Sequence, residues 1–197
     1  MKRILDIVFS SFGIILFSPI FLLISFLIVI DSKGGVLYYQ TRVGKDNVDF
    51  NLLKFRTMKI DSDSNGLLTL GNRDPRITRI GYYLRKTKID EFPQLINIIK
   101  GEMSIVGPRP EVRKYVNMYN ETQKKVLSIR PGLTDYASLA YINESELLAA
   151  ENDPESFYIL KVMPHKIELN LHYIQNNTIL KDFKIILKTL YLLLKKK

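Results

Sequence analysis

From Ile7 to Ile30 this chain carries no charged side chain, and no other feature of the sequence restricts its fold so strongly. As a helix the run reaches about 36 Å, enough to cross a hydrocarbon core of about 30 Å. A cleaved signal peptide fits poorly, because the apolar stretch is too long and no small-residue cleavage site follows before the polar Asp31, Ser32 and Lys33. Two features argue against a straight crossing. Pro19 lies near the middle of the run behind Ser18; a proline removes one helical hydrogen bond, and a serine hydroxyl can bond back one turn to the carbonyl left over. Basic residues also flank both ends, Lys2 and Arg3 before the run and a net-positive remainder after it, which a single crossing would place on opposite sides of the membrane. We therefore expect a bend at Ser18-Pro19 and a re-entrant helical hairpin with both ends cytoplasmic; a plain kinked anchor fits the same residues.

Composition narrows the chemistry. Of 197 residues none is cysteine and two are histidine, which excludes disulfides, thiolate nucleophiles, iron–sulfur clusters and multi-histidine metal cages. The excess of 29 Lys+Arg over 20 Asp+Glu points to an anionic partner: nucleic acid, lipid head groups or a phosphorylated substrate. No helix-turn-helix, zinc-finger or RNA-recognition signature is present, nor a Walker loop or a GxGxxG fingerprint.

Past the apolar run, Val36 to Gly44 and Phe50 to Met58 read as two strands of a β-hairpin. Asp61 to Pro75 reads as a polar loop, and Ile77, Ile80, Tyr83 and Leu84 recur at helical spacing. Phe92, Leu95, Ile96 and Ile99 predict a short amphipathic helix starting just after Asp90. Further helices are expected over about 112–127, over 144–160 with an interruption at Asp153-Pro154, and from His165 to the C-terminus; VGPRPE and RPGLTD read as turns. The lysines and bulky apolar residues of the last helix suit a membrane interface, and equally a core helix with a solvated lysine face. The expected fold class is α+β, with residues 1–33 as the membrane helix and 34–197 as a cytoplasmic domain with surface amphipathic helices.

Two groupings offer chemistry. Asp90 and Glu91 are adjacent carboxylates at a predicted helix start. They read either as helix-capping acids or as a nucleophile and Mg²⁺ ligand, since Mg²⁺ takes one or two carboxylates together with phosphate oxygens. Lys54, Arg56, Arg85 and Arg109 recur on expected turns and strand ends. They suit a diphosphate, with Arg109 stiffened by Pro108 and Pro110, or they are ordinary surface charges.

The ordered set YYQTRVG, FNLLKFRTM, the block from Asp74 to Glu111, RPGLTD and the terminal LNLHYIQN with its lysine-rich helix resembles the bacterial sugar transferases, the monotopic phosphoglycosyl transferases. Ser18-Pro19 matches the family's helix-breaking pair. The resemblance implies transfer of a sugar-1-phosphate from a UDP-sugar to polyprenyl (undecaprenyl) phosphate, giving polyprenyl diphosphate sugar and UMP, at the cytoplasmic face of the bacterial inner membrane. It implies Asp90 as the nucleophile in a ping-pong sequence and a Mg²⁺ ligand, Glu91 as its dyad partner, and Arg85, Arg109, Pro110, Lys54 and Arg56 as substrate-binding residues. The chain looks like the minimal catalytic unit of larger relatives. It departs from the pattern at Asn47, where glycine is frequent, and at GLTDYASLAYINE, near the sugar end of the donor by analogy. A membrane-tethered basic scaffold protein and a metal-dependent nucleotide-sugar diphosphate hydrolase are the alternatives, and self-association is left open.

Overall fold

The computed structural model describes residues 1–60 and 74–195. Helix α1 spans Lys2–Asp31 and contains Pro19. The proline leaves the Ile15 carbonyl without its amide donor, and Ser18 Oγ donates to that oxygen at 2.8 Å. The helix therefore continues through the proline. The expected break at Ser18-Pro19 does not interrupt the helical hydrogen bonding.

Helix α1 keeps large apolar side chains outside as well as inside. Asp6, Ser10, Ile24 and Ile28 are buried against the rest of the chain, while Phe12, Ile15, Leu16, Leu22, Leu23 and Phe26 are exposed. Both ends are tied to the same body. Lys2 Nζ donates to Val106 O at 2.8 Å, to the Tyr173 hydroxyl at 2.7 Å and to Asp182 Oδ2 at 2.8 Å, and Asp6 accepts from Ser104 Oγ at 2.8 Å. At the other end Asp31 accepts the Ile80 amide at 2.9 Å.

Strands β1 (Leu37–Val43) and β2 (Asp49–Phe55) form the expected antiparallel hairpin, Leu37 opposite Phe55 and Val43 opposite Asp49. Its turn places Asp46 and Asn47 at φ 56° and 64°. Asparagine tolerates this left-handed conformation, so Asn47 does here what a glycine would do. Helix α2 (Arg79–Thr87) starts on Thr78, whose side chain accepts the Gly81 amide at 3.0 Å. It lies so close to β2 that a Cβ on Gly81 would stand 2.1 Å from Thr57 O. After α2 the chain turns at Lys88 (φ 59°), makes a 3₁₀ turn over Ile89–Glu91 and enters α3 (Gln94–Lys100).

Strand β3 (Ser104–Val106) pairs in parallel with β4 (Gly132–Thr134). RPGLTD is thus partly a strand rather than a turn. Gly107 and Gly132 make this approach possible: a Cβ on Gly132 would lie 2.1 Å from Gly107 N. The single helix expected over 112–127 is instead α4 (Arg113–Val116) and α5 (Glu121–Lys124), because Asn120 restarts the helix with a capping box closed by Gln123. The remainder is helical: α6 (Tyr136–Ala140), α7 (Glu144–Ala149), α8 (Pro154–Phe157, started on Asp153), a π turn over Tyr158–Val162, α9 (Met163–Gln175) and α10 (Ile179–Lys195). The one terminal helix expected from His165 is therefore two, divided at 176–178. The loop expected over Asp61 to Pro75 falls almost wholly outside the described residues.

One core cluster joins Val43 to Tyr115, Val116, Leu148 and Val162, and another joins Ile24 and Ile28 of α1 to Phe55 and Leu84. Helix α10 buries Ile185 and exposes Leu180, Phe183, Leu187, Leu190 and Leu194. Phe183 meets Phe9 of α1 edge-on at 6.4 Å, so the exposed apolar faces of the two helices adjoin.

Candidate active site

The turn between α2 and α3 leaves Lys88 exposed and presents Asp90 and Glu91 inward, 7% and 8% exposed. Neither acid caps a helix. The residue ahead of α3 is Pro93, with no side-chain cap, and the 3₁₀ turn has none either. Asp90 Oδ1 is buried with no hydrogen-bond partner among the described residues. A buried carboxylate oxygen in that state costs stability, and native proteins rarely keep one without use for it. The capping reading is therefore excluded by geometry.

The two acids are differentiated by their surroundings. Burial, reinforced by the neighbouring Glu91 charge, pushes Asp90 up to about 6, although Lys54, Lys88 and Arg85 pull the other way. Burial also opposes ionisation of Glu91, but Arg109, Lys88 and Lys54 outweigh it and hold that carboxyl well below the usual range. Arg109 Nη2 donates directly to Glu91 Oε1. The result is one permanently ionised acid and one that titrates close to neutrality.

Arg109 is itself braced. Its amide donates to Asp135 Oδ2 at 3.0 Å and its Nη1 to Leu133 O at 3.3 Å. Asp135, 1% exposed, caps α6 by accepting the Ser138 amide at 2.6 Å. Lys54 projects from β2 beside both acids; burial brings its ammonium down to about 7 against the pull of Glu91. These groups line a cavity of about 1040 Å³ that also takes in Arg85, Pro110 and Arg42, large enough for a ligand of nucleotide-sugar size.

The structure thus brings together Asp90, Glu91, Lys54, Arg85, Arg109 and Pro110. Arg56 is different. It borders the cavity, but its guanidinium donates to the carbonyls of Lys33, Ser32 (2.7 Å) and Ile28 (3.4 Å) at the C-terminal end of α1. Its charge there complements the helix dipole, so these bonds give it a structural role beside its place on the cavity wall. Gly34, at φ +121°, leaves room for it, since a Cβ would stand 2.0 Å from Arg56 Nη1. Sequence reasoning missed Arg42, which donates to Gln40 Oε1 (2.8 Å), Pro110 O (3.1 Å) and Glu111 Oε1 (3.3 Å). It also missed Asp135, whose place in GLTD was visible only as a departure from a pattern.

A metal ion has a narrow choice of ligands. No group of three or more His, Asp or Glu side chains suited to a metal occurs among the described residues, and Glu91 is engaged by Arg109. The unpartnered oxygen of Asp90 fits a Mg²⁺ that takes one carboxylate from the protein and its other ligands from phosphate and water.

A helix with exposed apolar side chains thus stands in one body with a buried acid pair set among cations. The family model for bacterial sugar transferases matches residues 1–196, and the chain belongs to that family. It is 36% identical over 193 residues to the UDP-N-acetylgalactosamine-undecaprenyl-phosphate N-acetylgalactosaminephosphotransferase of Aeromonas hydrophila, covering 96% of this chain and 43% of that protein. It is 31% identical over 195 residues to the UDP-glucose:undecaprenyl-phosphate glucose-1-phosphate transferase of Escherichia coli (strain K12), covering 97% of this chain and 39% of that protein. An exopolysaccharide production protein of Rhizobium meliloti (strain 1021) is 34% identical over 205 residues, with 96% and 83% covered. The chain thus spans less than half the length of the first two relatives.

Proposed function

We propose that this chain transfers a sugar-1-phosphate from a UDP-sugar to undecaprenyl phosphate, releasing UMP, as an early membrane step in making a surface glycan. The observation that carries this reading is Asp90 Oδ1: buried, without a partner, and facing cations in a cavity sized for the donor. Asp90 attacks the β-phosphorus of the donor. The bond from that phosphorus to the oxygen bridging the two phosphates breaks, UMP departs with that oxygen, and the sugar phosphate stays on the carboxylate. An oxygen of the lipid phosphate then attacks the same phosphorus and the Asp90 carboxylate is released. Glu91 holds Arg109, and Arg109, Lys54 and Arg85 offset the charge of the phosphates. Bound Mg²⁺, held by Asp90 and the diphosphate, would supply further charge neutralisation.

The two substrates meet where water and lipid do. Ile186, Leu190 and Leu193 of α10 border the same cavity as Asp90, and Leu190 is also on the exposed apolar face. A lipid acceptor following that face reaches the carboxylate without leaving an apolar surface. Contacts of both ends of α1 with one body support a re-entrant, monotopic insertion, and a nucleotide-sugar donor would be met on the cytoplasmic side. Relatives named for an N-acetylgalactosamine donor and for a glucose donor leave the sugar to experiment.

The test is UMP release from a panel of UDP-sugars, with Mg²⁺ or EDTA and with or without undecaprenyl phosphate, for the wild type and Asp90→Asn. Multiple turnover that needs Mg²⁺, the lipid and Asp90 is expected. Lipid-independent turnover would make the chain a hydrolase, and a folded chain that binds donors without turnover would make it a binding protein.

A further inference from the structure

Away from the cations around Asp90, the cavity wall formed by α6 and α9 holds two polar side chains that nothing among the described residues satisfies. Asn170 is 6% exposed and its Oδ1 is buried without a hydrogen-bond partner; Ser138 Oγ is likewise buried and unpartnered. Both border the cavity that contains Asp90. Their helices pack directly on each other, and Asp135, the cap of α6, is the residue that braces Arg109. The other polar residues nearby are engaged: Lys166 with Glu144 at 2.8 Å, and the Tyr141 hydroxyl with His165 Nδ1 at 2.7 Å.

A buried amide oxygen left without a donor costs stability unless a ligand completes it. Charge decides what kind of ligand group. Asp90 is flanked by Lys54, Lys88 and Arg85, and the diphosphate belongs with those cations, whereas Asn170 and Ser138 are neutral and together offer hydrogen-bond acceptors and a hydroxyl donor. We propose that Asn170 and Ser138 form a subsite for a neutral ring of the donor that presents an N–H or O–H group, so that Asn170 is a binding residue selecting the donor. Two parts of a UDP-sugar have that chemistry, the sugar ring and the uracil imide. The proposal rests on the cavity being the donor site.

The experiment compares Asn170→Leu, Ser138→Ala and, as a control on the exposed side of α9, Glu168→Gln, all in the full chain with undecaprenyl phosphate. Donor KM, kcat and the inhibition constant of UMP are measured, and folding is checked by thermal melting. Loss of a buried hydrogen bond to the ligand predicts a donor KM about tenfold higher for Asn170→Leu, a smaller rise for Ser138→Ala, and kcat changed much less than KM. If the ring is uracil, UMP inhibition weakens in parallel for every sugar. If the ring is the sugar, UMP inhibition is unchanged and the ranking of hexose and 2-acetamido donors shifts. Folded Asn170→Leu with wild-type KM, UMP inhibition and donor ranking would overturn the subsite while leaving the transferase reading standing. A wild type that releases no UMP from any donor would instead remove the transferase reading. Should Asn170→Leu fail to fold, Asn170→Ala serves: it removes the acceptor oxygen without adding bulk, and an unaltered KM and donor ranking there would equally overturn the proposal.

Discussion

Asp90, the proposed nucleophile, works against the stability of the fold. Its folded-state pKa of about 6 lies above its ordinary value of 3.8. It therefore favours folding at pH below about 4, and that contribution is lost as the pH rises through about 6. Asp90→Asn, which keeps the shape without the charge, is accordingly expected to be inactive yet more stable at pH 7.5, by up to about 3 kcal/mol in denaturant titration. The same pKa predicts that single-turnover UMP release falls as pH drops below about 6 with the uptake of one proton, read by rapid quench. Glu91 behaves oppositely: its ion pair with Arg109 adds stability above the ordinary carboxylate range, which is lost only as the pH falls well below it. Arg109→Ala leaves that carboxylate buried and alone, and is expected to cost about 3 kcal/mol as well as activity. The identity of the acid pair was legible from its resemblance to a family. Its residues alone left capping open, because an Asp before a helix looks the same in sequence whether or not its side chain turns back to the backbone.

At the level of elements, the strands β1 and β2 were readable because alternating apolar residues and a polar turn act locally. The β3–β4 pair was not, since three-residue strands carry too little pattern and their partnership depends on two glycines brought together from distant parts of the chain. Gly132→Ala should force those backbones apart, displacing the Arg109 segment that follows β3. A loss of about 2 kcal/mol and a donor KM raised with the displacement of Arg109 are expected, by melting and steady-state kinetics. Arg56 teaches the converse. Its motif suggested a phosphate ligand, but the folded chain sets it on the last carbonyls of α1. Arg56→Ala should lower stability by about 1–2 kcal/mol through the lost cap, leaving donor KM near wild type.

At the scale of the whole molecule, α1 is the defining element. A helix that crossed a bilayer would separate its ends by the membrane, yet Lys2 bonds to Asp182 and Asp31 to the Ile80 amide. The chain has no cysteine, so a single one placed ahead of Met1 and another in place of Lys181 can be labelled separately in sealed vesicles of known orientation. Re-entrant insertion predicts labelling of both from the cytoplasmic side; labelling of the first from the outer side alone would make α1 a crossing anchor. Position 2 itself is unsuitable, because Lys2 holds the helix to β3 and α10.

The sequence by itself determined that one segment is uncharged and long enough to cross a hydrocarbon core, that cysteine and multi-histidine chemistry are absent, and that two acids lie amid cations. These follow from composition and short-range spacing, which no packing can undo. Only the tertiary structure decided that Asp90 has a buried oxygen without a partner among the described residues, and is not a cap. It also decided that Arg56 bonds to the end of α1 while Arg109 bonds to Glu91, and that the inward face of the apolar helix carries Asp6 and Ser10 near one end and Ile24 and Ile28 near the other. Each of those depends on groups tens of residues apart being brought within hydrogen-bonding distance, and on the water that their meeting excludes.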